Sequence, residues 1–458
     1  MLNDWAYNET YGAKLWDPRC YRTLTSALEQ LGEHPEVSFS RALGSQRKAV
    51  SRILHHETTS AEDLLVGHVR ATNRRCQQEK FVLVASDTTL TNFTTHKACE
   101  GLGLIGDKKS QRGFLIHSAL ALTPEGVPLG VLHQNAWVRD PDTFGTAKER
   151  RERPFEQKES YKWQEAVQGI QSALSQEVRA LVIQDREADI FDFFVAQRQK
   201  RMGLLIRATH PRRIESEPGN EATNVLDSVA QTPVIGITDV LVRARPDREA
   251  RTASLCVQVQ NVSIRAPKHG LSSQKASVAL TVIRAYEELA PEGVKEPLEW
   301  VLFTTEAVPD ALTALTFVDY YAKRWLIERF HYVLKSGCEF EKLQLDTFAT
   351  LQKALSLYSI VAWRLLHLTY LARERPDLPA EEAISPTERH VLELATGRAI
   401  TTVAEAVLAV AKIAGFRPVP SAPTPGVKSL WLGFRKLCDM VAGFQLARQP
   451  PSRLKGQD

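Results

Sequence analysis

From Trp5 to about residue 75 the apolar positions recur at helical spacing, and the stretch is mildly basic. Within it, SFSRALGSQRKAVSRILHH (Ser38–His56) breaks its apolar spacing at Gly44, places Ser45 as an N-cap, and follows with Arg47, Lys48 and Arg52. That pattern fits a helix-turn-helix-like DNA reader and fits equally a small helical bundle with a solvated basic face. At Phe81 the period changes. FVLVAS is a short apolar run ending at Asp87, which predicts a buried strand. GFLIHSALALT (Gly113–Thr123) and VPLGVLHQNAWV (Val127–Val138) flank Pro124, Glu125 and Gly126, which predicts a hairpin.

A charged loop over residues 139–160 leads to a predicted helix from about Tyr161 to Gln176. RALVIQ is the next apolar run and ends at Asp185. DIFDFFVAQRQKR then reads as a helix, and GLLIRAT (Gly203–Thr209) as a strand. Three adjacent strands followed by helix, strand, helix and strand predict a mixed α/β sheet, with an antiparallel meander on one side and parallel crossovers after it. Residues from about 234 to 286 lose the helical period. VIGITDVLVRAR, ASLCVQVQNVSIR and ASVALTVIRAY read as a small β insertion, after which EWVLFTT (Glu299–Thr305) resumes as a buried strand. From about Phe348 the pattern is helical to the end, broken at Pro376 and Pro379 and again at the Pro-rich FRPVPSAPTPG (Phe416–Gly426). The last helix, SLWLGFRKLCDMVAGF, carries an apolar stripe that suits either packing within the chain or a dimer contact.

Composition narrows the class. At 458 residues the chain is long for one simple domain, and its 43% hydrophobic and 24% charged residues are those of a globular protein. A net charge of +4 does not by itself demand nucleic acid, so any DNA surface must come from clustering. The six Cys show no CxxC or Cys/His spacing for zinc, which predicts free thiols. No apolar run of about 18 residues is present, so no membrane span is expected, and the N-terminus lacks an apolar signal core.

YYAKRWLIERFHYVLKSG (Tyr320–Gly337) holds five Lys, Arg or His side chains and one carboxylate, Glu328. It reads as one helix of about five turns ending at Gly337. With Tyr321 as zero and ~100° per residue, Arg324, Glu328 and Lys335 all fall within about 60° of it. Leu326, Phe330, Val333 and Leu334 fall on the opposite face. One stripe can dock on a core while the other presents a phenol, a guanidinium, a carboxylate and an ammonium. Such a carboxylate suits a metal ion, and such cations suit phosphate. The bland alternative is an ordinary i,i+4 surface pair between Arg324 and Glu328. Asp87 and Asp185, each after a buried strand, join Glu328 as a trio that can hold two divalent metals for phosphoryl transfer. Oxygen ligands without Cys or His favour Mg²⁺ over Zn²⁺.

Three segments carry a family resemblance. They are SDTT around Asp87 with LGLIGDKKSQRGFLIHSALAL behind it, DREADIFDFF from Asp185, and a Y-(2)-R-(3)-E-(6)-K spacing met by Tyr321, Arg324, Glu328 and Lys335. KESYKW (Lys158–Trp163), RATHPRR (Arg207–Arg213) and EWVLFTTEAV around Trp300 are lesser matches. In these the chain resembles, from Trp5 to the C-terminal helices, the bacterial cut-and-paste DDE transposases of the insertion-sequence-four group, which includes the Tn-five transposase.

The resemblance implies an RNase H-like α/β catalytic core of mixed sheet and flanking helices with a β-rich insertion, set between helical N-terminal and C-terminal domains. Residues 1–75 would bind DNA ends. Residues 76–347 would form the catalytic domain with the insertion at about 230–290, and residues 348–458 would carry the dimer contact. Asp87, Asp185 and Glu328 would be the catalytic metal ligands for two Mg²⁺, with Mn²⁺ able to substitute. Tyr321, Arg324 and Lys335 would contact phosphates near the cleaved end. Trp300 would receive a flipped base, although a core Trp at a strand start fits the same pattern. Arg207 and His210 match positions near the site, Trp325 would wedge or pack, and Lys158 and Lys162 belong to the same DNA-binding set.

The implied reaction is nicking, hairpin formation, hairpin opening and strand transfer into target DNA. The implied partners are double-stranded DNA (terminal inverted repeats, then target) and a second copy in a synaptic homodimer, with no membrane, in a bacterial cytoplasm at the nucleoid. A cleavage-deficient end-binding protein and a structure-specific nuclease on the same fold are the competing readings. One departure is Tyr332, which stands where the group often has a second Lys.

Overall fold

The computed structural model describes residues 5–33, 38–106, 110–139, 149, 152–215, 224–242, 249–268, 271–291, 294, 296–420 and 423–448. Half of the charged loop expected over 139–160, and part of the segment behind Asp87, lie outside the described residues. The strands are β1 (Phe81–Asn92), β2 (Gly103–Leu104), β3 (Arg112–Leu122), β4 (Pro128–Trp137), β5 (Arg179–Gln184), β6 (Met202–Arg207), β7 (Gly236–Val242), β8 (Arg251–Ile264), β9 (Val278–Tyr286) and β10 (Glu299–Thr304).

They form one ten-stranded sheet in the order β2-β3-β1-β5-β6-β10-β9-β8-β7, with β4 also paired to β3. β1 runs antiparallel to β3 and β3 antiparallel to β4, while β1, β5 and β6 are parallel to one another. The order β4-β3-β1-β5-β6, a meander followed by two parallel crossovers, is the RNase H-like arrangement. The β-rich insertion is not a separate unit. β10 pairs antiparallel with both β6 and β9, so β7 to β9 extend the main sheet.

Strand alternation divides the core into two layers. Leu83 and Ala85 of β1 face a layer shared with the helices Trp325–Tyr332 and Phe348–Glu374. Val82 and Val84 face the other layer, with Trp163 and Phe193. The first layer runs without a break from Ala6 in the N-terminal helices to Leu437 in the last helix. Phe348–Glu374 begins at a capping box, with Thr347 as N-cap and Thr350 at the third position. By length and composition this helix is apolar enough to cross a membrane, contrary to the sequence expectation, but 89% of its apolar window is buried inside the protein. It is the central core helix.

Several expected boundaries move. β1 does not end at Asp87 but continues to Asn92, because β3 pairs with it as far as Gly113. The helix expected over DIFDFFVAQRQKR spans only Phe191–Val195. There the Arg198 guanidinium turns back onto the carbonyls of Phe193, Phe194 and Ala196 and caps the short helix. In Ser38–His56 the chain forms Phe39–Leu43, a 3-10 turn at Gly44–Gln46, and Arg47–His55. Gln46 rather than Ser45 precedes the second helix, without a side-chain cap bond. The last helix runs Val427–Arg448, with Leu430, Trp431, Phe434 and Leu437 buried. The described cysteines are all free thiols.

The long helix expected over Tyr320–Gly337 is three pieces. Ala311–Ala322 ends at a tight turn, Trp325–Tyr332 follows, and Val333–Gly337 is a π-turn in which Cys338 N–H donates to Val333 O at 2.8 Å. Arg324 sits in the turn between the first two, where short i,i+3 bonds replace the α pattern. The apolar stripe is as expected, with Leu326, Phe330, Val333 and Leu334 fully packed.

Candidate active site

β1 and β5 are hydrogen-bonded from Phe81↔Arg179 to Ala85↔Ile183 and then part. Asp87 stands on one lip of that fork and Asp185 on the other, at the carboxyl end of β5 where sites in open α/β sheets gather. Asp87 lies on the face of Leu83 and Ala85, beneath the helix that carries Glu328, and its Oδ1 accepts from Thr88 N–H at 2.8 Å. Asp185 caps a 3-10 turn, accepting from Glu187 N–H at 2.8 Å.

Arg324 stands between the carboxylates. Its Nη2 donates to Glu328 Oε1 at 2.5 Å and its Nη1 lies 3.7 Å from Asp87 Oδ2. That Nη1 is buried and has no hydrogen-bond partner. Burial pushes the Asp87 carboxyl up to about 7; Arg324 opposes this, while Asp185 and Glu328 add to it. Burial also raises Asp185 above the ordinary carboxylate value. The Arg324 guanidinium is desolvated, but the charges of Tyr321, Asp87, Glu328 and Asp185 hold its proton more firmly than usual. Three carboxyl groups, two of them reluctant to ionise, around one guanidinium describe a pocket short of positive charge.

Tyr321 is buried, its ring edge-on to Trp300 at 5.1 Å, and burial raises its phenol although Arg324 and Arg207 lie close enough to oppose it. Arg207 ends β6 and donates to Glu299 O at 3.2 Å. Lys162 reaches the Asp185 side, with its ammonium 3.5 Å from Glu187 and 5.4 Å from the Trp163 ring centre.

The other expected residues sit further out. Lys335 donates to Leu90 O at 2.6 Å and pairs with Glu341 at 3.4 Å, so it is tied to β1 beyond Asp87. His210 is exposed and is held through its backbone N–H by Asp189. The charge of Lys158 bears on Asp192, the carboxylate that Ser272 and Lys275 also bond. Trp325 lies 6.3 Å from the Tyr370 ring of the core helix, which is packing rather than exposure to the site. Two residues the sequence reading passed over, Ser86 and Gln184, lie directly behind the aspartates. Their signal was a polar residue closing each apolar run.

Residues 149–364 match the family model of the transposase DDE domain. The match supports a DDE-type transposase. It covers just under half of the chain and includes Asp185, Glu328 and the Y-R-E-K spacing, while Asp87 lies ahead of it. The cryo-EM structure of the piggyBac transposase synaptic complex with hairpin DNA aligns with a TM-score of 0.35 and 10% identity, over 99% of this chain and 76% of that chain.

DDE domains use divalent metals, for which the trio is the candidate ligand set. Among the described residues no group of three Asp, Glu, His or Cys is close enough to hold an ion as it stands. The reason is local: Arg324 takes Glu328 and shields Asp87. The donor chemistry does fit. All three groups offer hard oxygens, and the half-buried pair of aspartates would gain from a cation. A half-exposed Glu328 can swing away from Arg324.

Proposed function

We propose that the chain is a cut-and-paste transposase of the insertion-sequence-four group, with Asp87, Asp185 and Glu328 as the ligands of two Mg²⁺, for which Mn²⁺ can substitute. The observation that carries this is the fork: two aspartates on the parting lips of β1 and β5, with a helix-borne Glu328 set over them. A divalent cation held there supplies a Lewis acid for in-line attack of a hydroxyl on phosphorus. Arg324, released from Glu328, has two donors for a phosphate oxygen, and Tyr321 beside it offers a third. Nicking, hairpin formation, hairpin opening and strand transfer are the same displacement four times. Residues 1–75 then bind the terminal repeats, and residues 348–458 join two copies in the synaptic complex, in a bacterial cytoplasm at the nucleoid.

The deciding experiment is excision in vitro. A marker between the native flanking ends, on a supercoiled plasmid, is incubated with purified protein and Mg²⁺. Release of a hairpin-ended fragment is expected. Cutting at single, unpaired ends would instead favour a structure-specific nuclease, and end binding without any cutting a cleavage-deficient binder.

Two residues make separate tests. Lys335→Ala is expected to weaken end binding and to reduce the slope of log K against log salt by roughly one. An unchanged slope in a salt titration would make Lys335 only the tether of the π-turn to Leu90. Trp300 is half-buried on β10 against Tyr321, which leaves part of the indole open for stacking. Trp300→Ala is therefore expected to slow hairpin formation more than first-strand nicking, read from single-turnover gels. Equal loss of both steps would assign Trp300 to packing.

A further inference from the structure

Each aspartate of the fork is preceded by a polar residue that faces the opposite side of the sheet. Ser86 and Gln184 are fully buried, and Gln184 Nε2 donates to Ser86 Oγ at 3.1 Å. By alternation both point into the apolar layer of Val82, Val84, Ala180 and Val182. Apolar side chains would continue that layer without a polar cost. An amide and a hydroxyl are costly there unless bonded to each other, and Gln184 Oε1 still has no partner.

Their place in the sheet gives the reason. The β1–β5 ladder ends at Ala85↔Ile183. Beyond it β1 follows β3 to Asn92, and β5 follows β6 to Gln184↔Ile206. Ser86 and Gln184 are the next residue on each strand, one step past the last backbone pair and one step before the carboxylates. On the far side of Asp87, Thr88 is tied to β3, its Oγ1 lying 2.9 Å from His117 Nδ1. β1 is thus pinned to β3 above the fork, and the Ser86–Gln184 bond is the tie across it nearest the carboxylates.

We infer that Gln184 is a positioning residue: through Ser86 it sets the width of the β1–β5 fork, and so the separation at which Asp87 and Asp185 share divalent cations. The inference rests on the reading of those aspartates as cation ligands. Gln184 itself points to the opposite side of the sheet from the carboxylates and is fully buried there.

The test is Mn²⁺ binding to the full chain, read by electron paramagnetic resonance with and without end duplex, together with the cleavage rate as a function of Mg²⁺. Gln184→Leu and Ser86→Ala are each expected to weaken Mn²⁺ binding by roughly 10- to 100-fold. The double variant should be no weaker than either single one, since both act through one bond. Ser86→Thr keeps the hydroxyl and should bind as wild type. Cleavage lost in Gln184→Leu should return at high Mg²⁺, which a merely structural defect would not allow. If Gln184→Leu does not fold, Ser86→Ala carries the same readings. Asp87→Asn separates the two ideas. Weak Mn²⁺ binding by Asp87→Asn beside wild-type binding by Gln184→Leu and Ser86→Ala overturns the inference alone. Wild-type binding by Asp87→Asn overturns the carboxylate reading and the inference with it.

Discussion

Glu328→Gln is expected to lower DNA cleavage by roughly 10³-fold or more while leaving end binding and folding close to wild type. Loss of one anionic ligand removes several kcal/mol of transition-state stabilisation, and each 1.4 kcal/mol is about tenfold in rate. The structural cost of the change is small. Glu328 is half exposed, and the desolvated Arg324 guanidinium it bonds keeps Asp87 at 3.7 Å as a second negative neighbour after the change. Glutamine keeps the length and still accepts from the guanidinium. End binding should hold or tighten slightly, because a negative charge near phosphate is removed. Nicking of an end duplex, a gel shift and a thermal melt on the same preparation separate these effects. Cleavage within about tenfold of wild type would remove Glu328 from the ligand set.

The sheet was legible because its strands are short apolar runs bounded by turn residues. The hairpin of β3 and β4, the run before Asp185 and the three insertion strands all fall within a few residues of their expected places. What was not legible is what depends on partners distant in sequence. Asp87 lies within a strand rather than after it, since β3 extends β1. The insertion strands join the main sheet through β10, which no local pattern reveals. The wheel put Tyr321, Arg324, Glu328 and Lys335 on one helical face. In fact a tight turn at Arg324 and a π-turn from Val333 divide the segment, and Lys335 leaves the group to bond Leu90. Arg324 lying between two carboxylates was also beyond a wheel, which orders residues on one helix and says nothing of the strand beneath it. Ser86 and Gln184 were visible as polar ends of apolar runs, but only the parting of β1 from β5 gives them a purpose.

Glu9→Gln is expected to destabilise the protein by roughly 3–5 kcal/mol at neutral pH, the usual cost of removing one partner from a buried ion pair. Glu9 is buried in the helix Trp5–Thr10, where its carboxylate accepts from His68 Nδ1 at 2.5 Å and from Arg75 at 2.7 Å. His68 is fully buried with its pKa lowered by that burial, and its Nε2 accepts from Val131 N–H at 3.0 Å. It is therefore the neutral ring, donating at Nδ1. Arg75 also donates to Leu129 O and stacks 4.2 Å from the ring of Trp363, which in turn donates to Pro128 O. One carboxylate thus ties the first helix, the helix Ala61–Glu79, β4 and the core helix together. Burial raises the Glu9 pKa, but Arg75 and His68 outweigh it and hold the carboxyl at about 2, against an ordinary 4.5. Between those values the unfolded chain binds more protons than the folded one, so this contribution is complete above about 4.5 and is lost as pH falls toward about 2. Denaturant titrations of wild type and Glu9→Gln across that range should converge at the acid end, because protonated wild type has already lost what the variant lacks. Parallel curves, with a constant gap down to the lowest pH, would place the stabilisation elsewhere in the network. Since β4 pairs with β3 and β3 with β1, loosening this knot should also be felt at Asp87. Glu9→Gln should lose cleavage at a lower temperature than wild type, in step with its unfolding rather than through any change in Mg²⁺ dependence.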